Sequence, residues 1–572
     1  MSSPTLNVDV LAIVCEFLTD VPDILAFSLT CSALRPVANR WLLSMKPIYF
    51  ADGVSVRRFH SFLFADLPAR ALHVRALDII SPPPRPPLRP TLPGDSSLLR
   101  EILISCPHLE RVAIFLQDGS HRCTDDPRVT DAIAGIQSLC SLSILGTSVH
   151  ALDLLRQVRA PLHELNIGFS NDQIDFWSPA ALEMFVPRHL PPILEKLELC
   201  NFVTDLDDPQ LQNLFGIVSS SQPYRSMTTY PLVRSIRSIF LLQRPLLDHL
   251  QHFFPALDGT LSIGLLDASV PEDTYPAVRA LNQLAQEGGQ GPSSGSRPRP
   301  MWKKLDRVVC DPQMFYVLGL RCPIRLVMLD YCSPLALARR CVEPALRENP
   351  VPRLKISFAL TEGRDVLDGL FSPELARVLT HLTLVLEFAT DGGPGSMADA
   401  ETVAHLRWAD LLDTLVSRLH PLHKLTHLRL VVHSNIHHDP SCPVAYSDAF
   451  VRETRPSAFD FAAAAARLAR PLPALRCVFV ATSAYVAEPE RDPDTDVEAR
   501  SPSYRFWKML DRWYEPRGWR VDQFDSGSGL AREGEGGPVL VELREDVAEA
   551  IMEDEELVLS EADHGTLHFD ED

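Results

Sequence analysis

The sequence predicts an α/β repeat: a small all-α helical head followed by an irregular solenoid of strand–helix units. Three observations predict it. The opening residues carry apolar side chains at helical spacing, more than so small a unit can bury by itself. From about residue 74 onward a short pattern recurs twelve times, apolar-x-x-apolar-x-apolar. A proline stands one or two residues before six of these twelve, at Pro107, Pro161, Pro192, Pro323, Pro350 and Pro473, where it marks the opening of a strand.

The head is read first. Leu6, Val10, Val14 and Phe17 fall at steps of four, four and three, and Leu11, Val14 and Leu18 continue the same face. Asn7 suits the N-cap of this helix, and Asp9 favours its positive end. Asp20 or Asp23 caps a second helix carrying Ile24, Leu25, Phe27, Ser28 and Leu29, with Pro22 in a first turn whose amide donors are free anyway. Ser32 caps a third, with Leu34, Val37, Ala38, Trp41 and Leu42, and Pro36 early enough to be accommodated. A surface this apolar on so small a unit points to docking onto another protein.

These residues resemble a known family. The F-box motif runs roughly Leu-Pro-x-Glu-[apolar]-Leu-x-x-Ile-x-x-[Phe/Tyr]-Leu, then Asp-Leu-Leu-x-Leu-Ser-x-x-Cys. The chain matches at Leu6, Val10, Leu11, Val14, Phe17, Leu18, Ile24, Leu25, Phe27, Ser28, Leu29 and Cys31. Asp9 replaces the usual acid, and Asp23 stands for the usual Asp. Asn7 occupies the family's proline position, and one extra residue lies between Leu18 and Asp23. Both departures fall at helix ends, where variation costs least. The resemblance implies binding to the Skp-type adaptor of an SCF-type cullin–RING ubiquitin ligase. The adaptor-facing residues would be drawn from Leu6, Val10, Leu11, Val14, Phe17, Leu18, Ile24, Leu25 and Leu29, some of which must instead hold the helices together. The rest of the chain would recruit a protein substrate, left open at this stage.

The recurring pattern is read at Val74/Leu77/Ile79, Leu109/Val112/Ile114, Leu139/Leu142/Ile144, Leu162/Leu165/Ile167, Leu194/Leu197/Leu199 and Ile236/Ile239/Leu241. It continues at Leu305/Val308/Cys310, Ile324/Val327/Leu329, Val351/Leu354/Ile356, Leu379/Leu382/Leu384, Leu425/Leu428/Leu430 and Leu475/Val478/Val480. The count is what chance supplies, so the framing prolines carry the reading. Helices between strands are expected at 127–139, 179–185, 245–254, 402–419 and 457–469. A strand then a helix, repeated, resembles the leucine-rich-repeat plan. The units are irregular: 19 residues separate Leu305 from Ile324, and 69 separate Ile236 from Leu305. The family's turn asparagine is mostly missing.

The expected organisation is therefore a helical domain at 1–45, a connecting helix and linker at 46–73, and a degenerate array at 74–525. Inserted loops fall at 82–96, 286–300 and 391–398, rich in proline, glycine and serine. Residues 526–572 form a Gly-rich and then acidic, largely disordered tail, with twelve acids and no Lys or Arg from Glu545 onward. Trp507, Trp513 and Trp519 supply three of the seven tryptophans. A helix at 502–514 and a strand at 519–524 would use them to close the open end of the array.

Composition bounds the function. The formal charge is −20, from 54 basic and 74 acidic residues. That argues against broad contact with nucleic acid or an anionic membrane. No run of 18 apolar residues suggests a membrane span. The twelve cysteines are scattered without CxxC pairs, as reduced thiols in the cytosol or nucleus would be. No phosphate-cradling G-x-x-x-x-G-K-[ST], nucleophile elbow G-x-S-x-G or zinc-binding H-E-x-x-H occurs. His420, His423 and His427, and His437-His438 with Cys442, come closest to ligand spacing. Pro421 breaks the first set, whose His427 should point away from the core, and the second lacks a fourth ligand. The expectation is a non-enzyme with no cofactor or metal. The alternative is a non-catalytic leucine-rich-repeat scaffold unrelated to ubiquitin transfer.

Overall fold

A computed structural model describes residues 8–18, 21–30, 34–81, 94–116, 126–147, 154–169, 189–200, 229–239, 247–263, 272–286, 302–332, 335–360, 367–389, 405–437, 448–489, 507–522 and 538–560. The chain divides into two compact units, the first holding most residues up to Arg244 and the second most residues from Asp258 onward.

In the first unit the chain opens with three helices, α1 (Val8–Glu16), α2 (Val21–Thr30) and α3 (Arg35–Met45). Pro36 sits in the first turn of α3, where a missing N–H costs nothing. Leu34, not Ser32, is the N-cap of α3, and no side chain caps it. Leu11 and Cys15 of α1 pack on Val37 of α3, with Phe27, Leu34 and Trp41 against them. Ile24 is fully buried.

The predicted fold class is corrected at this point. The chain is not a small all-α head followed by a separate array. Strand β1 (Ile48–Phe50) follows α3 at once, inside the stretch expected to be a linker, and opens a mostly parallel sheet with helices. In the first unit it is followed by β2 (Ala76–Ser81), β3 (Arg111–Leu116), β4 (Ser141–Thr147), β5 (Glu164–Phe169), β6 (Lys196–Cys200) and β7 (Ser235–Ile239), each parallel to its predecessor. In the second unit come β8 (Thr260–Ile263), β9 (Leu305–Cys310), β10 (Ile324–Cys332), β11 (Arg353–Ala359), β12 (His381–Ala389), β13 (His427–His437) and β14 (Cys477–Pro489), again parallel and in chain order.

Register explains why the short pattern works. Leu77, Val112, Leu142, Leu165, Leu197 and Ile236 stand opposite one another on successive strands of the first unit. Leu261, Val308, Val327, Leu354, Leu382, Leu428 and Val478 do so in the second. None is more than 3% exposed. Each such burial contributes about 1.5–3 kcal/mol against leaving the side chain in water. The frame read at Ile236/Ile239/Leu241 is shifted: Ile236 holds the middle position, and Val233, fully buried, the first.

A second signature lies in the backbone. The carbonyl of Arg75 accepts from both Glu110 N and Arg111 N, that of Glu110 from Cys140 and Ser141, and that of Cys140 from His163 and Glu164. In the second unit Pro352, Thr380 and Thr426 pass the same double acceptance along. The corner recurs although the intervening chain varies in length.

Helices occupy the expected intervals in shorter form, at Pro127–Ala134, Leu247–Phe253, Trp408–Leu419 and Phe461–Ala469. The one expected at 179–185 lies outside the described residues. So do the inserted loops, save for 94–96, which opens the helix Gly94–Ser105, and 286, which ends Tyr275–Gln286.

The closing strands differ most from expectation. Instead of a helix at 502–514, β15 (Trp507–Asp522) runs antiparallel along β14, covering an edge that would otherwise expose a long row of peptide groups. Gly518 lets the strands approach there: a Cβ would lie 2.7 Å from the Phe479 ring, which would have to shift. Strand β16 (Val539–Glu542) pairs with β15, and a helix follows at Glu545–Asp554. The acidic tail is corrected accordingly. Its described part, 538–560, is ordered on the sheet, with Leu557 and Leu559 buried.

Candidate functional site

Two surfaces carry residues that the core does not use. The first is the outer face of α1 and α2. Val10, Ile13, Val14 and Phe17 follow the steps three, one and three that align side chains along one stripe. All four are exposed, Phe17 to 80%, and on α2 Leu25 and Leu29 are exposed too, Leu29 to 75%. Of the nine residues assigned to adaptor contact, Val10, Val14, Phe17, Leu25 and Leu29 face outward. Leu11 and Ile24 face inward and hold the helices together, Leu18 is half-buried, and Leu6 lies outside the described residues. Ile13 was missed. Its spacing to Val10 and Phe17 was the signal, hidden because Leu11 and Leu18 were counted into the same face.

The second surface belongs to the second unit. Along a parallel strand, alternate side chains point to opposite faces. Behind the buried Leu354–Leu382–Leu428–Val478 column, the preceding residues Arg353, His381, His427 and Cys477 stand in register on the other face. Over this face passes the segment that follows the C-terminal helix. Glu556 accepts from Arg307 at 3.1 Å and from Arg325 at 3.0 Å, with a second, shorter contact to Arg325. Arg325 also forks onto Asp306 at 2.6 and 2.9 Å. Arg353 donates to the carbonyl of Glu555 at 2.5 Å and lies 3.3 Å from its carboxylate. His381 Nε2 meets the same carboxylate at 2.9 Å. Arg429 donates to the carbonyl of Leu557 at 2.6 Å, and Lys355 to Ser560 Oγ at 3.2 Å.

The electrostatics follow from this geometry. The Arg325 fork holds the carboxyls of Asp306 and Glu556 below the usual range against the opposing effect of burial. Burial opposes ionisation of Glu555 as well, and its hydrogen bond to His381 with the surrounding charges overcomes it. Burial lowers His381, despite its carboxylate partner. It pushes His427 down to about 4, with the neighbouring His381 adding to the effect. His427 thus points away from the apolar column, as expected, yet is buried by the C-terminal segment.

His381, His427 and Glu555 place one donor atom each within 4.8 Å of one another. The arrangement does not suit a metal ion. The imidazoles stack at 4.6 Å with planes 12° apart, and each Nδ1 meets the hydroxyl of the preceding threonine, at 2.8 and 2.9 Å. Their Nε2 atoms therefore point side by side, and that of His381 is engaged by the Glu555 carboxylate, whereas zinc needs two lone pairs converging at about 2.0–2.1 Å. Arg353 brings a positive charge onto the same carboxylate. His420 and His423 contact each other edge to face, and His438 and Cys442 lie outside the described residues.

A groove of about 250 Å³ runs beside the segment, lined by Arg429, Phe479, Tyr514, Gly518 and Met552 among others. The described cysteines form no disulfide, and no described helix is long and apolar enough to cross a membrane. No family model matches the chain, and no match is found among curated proteins.

Proposed function

We propose that this chain is the substrate-recruiting subunit of an SCF-type cullin–RING ubiquitin ligase. Helices α1 and α2 bind the Skp-type adaptor, and the sheet recruits a protein substrate. The observation that carries the reading is the bare stripe of Val10, Val14, Phe17, Leu25 and Leu29, which are positions where the F-box resemblance expects adaptor contact. Burying Phe17 and Leu29 against a partner would contribute about 1.5–3 kcal/mol each. The mechanism is proximity: the assembled ligase raises the local concentration of substrate near the charged conjugating enzyme. The chain supplies no nucleophile to the transfer. The scattered cysteines, without a CxxC pair, suit a reducing compartment, cytosol or nucleus.

The test is co-purification of recombinant Skp-type adaptor and cullin with the full chain. The wild-type chain is expected to capture both, and Phe17→Asp with Leu29→Asp to lose them while keeping the wild-type melting temperature. A folded wild-type chain that never captures the adaptor contradicts the reading and leaves a scaffold outside ubiquitin chemistry.

A further inference from the structure

The sheet face described above is covered by the chain's own C-terminal segment. Side chains from five successive strands, β9 to β13, converge on a short acidic stretch: the cations Arg307, Arg325, Arg353 and Arg429, and His381. Each contact reads a different feature. Glu555 is met by His381 and Arg353, Glu556 by a single bond from Arg307 and the fork of Arg325, and the next carbonyl by Arg429. Leu557 packs against Cys477 and Phe479, and Leu559 against Val385, Val431 and Ala481. The occupant is thus read as acid, acid, apolar, any, apolar.

The C-terminal helix ends in a Schellman motif, with Glu556 in the left-handed region at φ +50°, its N–H donating to the Glu553 carbonyl at 3.0 Å and that of Leu557 to the Met552 carbonyl at 2.8 Å, which turns the chain onto the sheet face. The segment follows β16, which pairs with β15, and the helix Glu545–Asp554, so it meets the face as part of the same chain and competes intramolecularly with any free peptide.

We propose that the β9–β13 face binds an acidic peptide segment of a partner protein, of the form acid-acid-apolar-x-apolar, and that residues 555–559 occupy it as a tethered competitor. This deepens the proposed function by giving the substrate its chemistry, and it rests on that reading for its consequence in ubiquitin transfer. Binding is measured on the chain alone, so its failure is distinct from failure of adaptor capture.

The probe is a fluorescein-labelled peptide with the sequence of residues 552–560, titrated into full-length chains and read by anisotropy. Neutralising the competitor in Glu555→Gln with Glu556→Gln is expected to tighten peptide binding at least about tenfold over wild type. Adding Arg325→Ala and Arg353→Ala should cancel that gain, and a peptide with its acids replaced by Gln or Asn should bind at least about tenfold more weakly. Equal affinity for wild type and the double variant, or for the acidic and neutral peptides, overturns the proposal. Hydrogen exchange on the wild-type chain keeps the test independent of how the variants fold. Amides of 545–560 are expected to exchange by an opening that leaves Arg353–Ala359 and His427–His437 protected, and excess peptide to accelerate that exchange. Exchange of the segment only together with those strands overturns it equally.

Discussion

The outer face of α1–α2 and the β9–β13 face answer the same problem in opposite ways. One is apolar and bare, with Phe17 and Leu29 in water. The other is cationic and covered by the chain's own acids. An apolar stripe loses little by waiting for a partner, since exposed apolar surface is soluble when it is small and rimmed by polar groups. Arginines on neighbouring strands repel one another, so anions that approach are held strongly. Surface that the core does not use is thus met in two ways, left exposed where it is apolar and covered by the chain's own acids where it is cationic.

The contrast breaks most sharply within α2. Ile24→Asp places a carboxylate in a fully buried site and should unfold the three helices, at a cost of about 4 kcal/mol or more. Phe17→Asp should leave melting unchanged and abolish only adaptor capture. Thermal unfolding with near-ultraviolet circular dichroism separates the two. Ending the chain at Gly537 tests the covered face. It uncovers Phe479 and the Val385–Val431–Ala481 patch, so the second unit should lose about 3 kcal/mol, measured by urea unfolding.

Acid sharpens the same comparison. His427 has its pKa lowered in the fold to about 4, against about 6.5 unfolded. Between those values the unfolded chain binds more protons, so stability falls as pH drops from about 6.5 to 4, by on the order of 3 kcal/mol. Asp306 and Glu556 add to this loss at lower pH, because their folded values are depressed and their contribution disappears as they protonate. His427→Gln should flatten the upper part of the profile, read from urea midpoints across that range. The smallest effect is expected at Gly518→Ala, where the added methyl meets the Phe479 ring, costing about 1–2 kcal/mol without altering adaptor capture.

Much of the parallel sheet was legible because its signal is local. Leu382, Leu384 and the proline or turn before them lie within a few residues, and the strand they form needs only its own alternation to be read. β1 and β8 escaped because three or four residues carry too little pattern. β15 was read only at its end, within the strand expected at 519–524; the rest escaped because its tryptophans and arginines follow no apolar alternation and its strand form is imposed by the open edge of β14. The fold-class expectation failed for a related reason. The helices at the start are visible by period, but that β1 continues them into the sheet depends on pairing with β2. The covered face was least visible. Glu556 reads as a solvated acid until it meets Arg307 and Arg325, which lie 249 and 231 residues away. On the bare face, Val10, Val14 and Phe17 were readable from spacing, whereas the inward turn of Leu11 required α3.

Whether α1 and α2 clasp a Skp-type adaptor, as proposed, is read from hydrogen exchange of the full chain with and without saturating recombinant adaptor. New protection is expected only across residues 8–30, and none in Phe17→Asp with Leu29→Asp. Exchange of those residues in the wild-type chain that adaptor leaves unchanged would rule the clasp out.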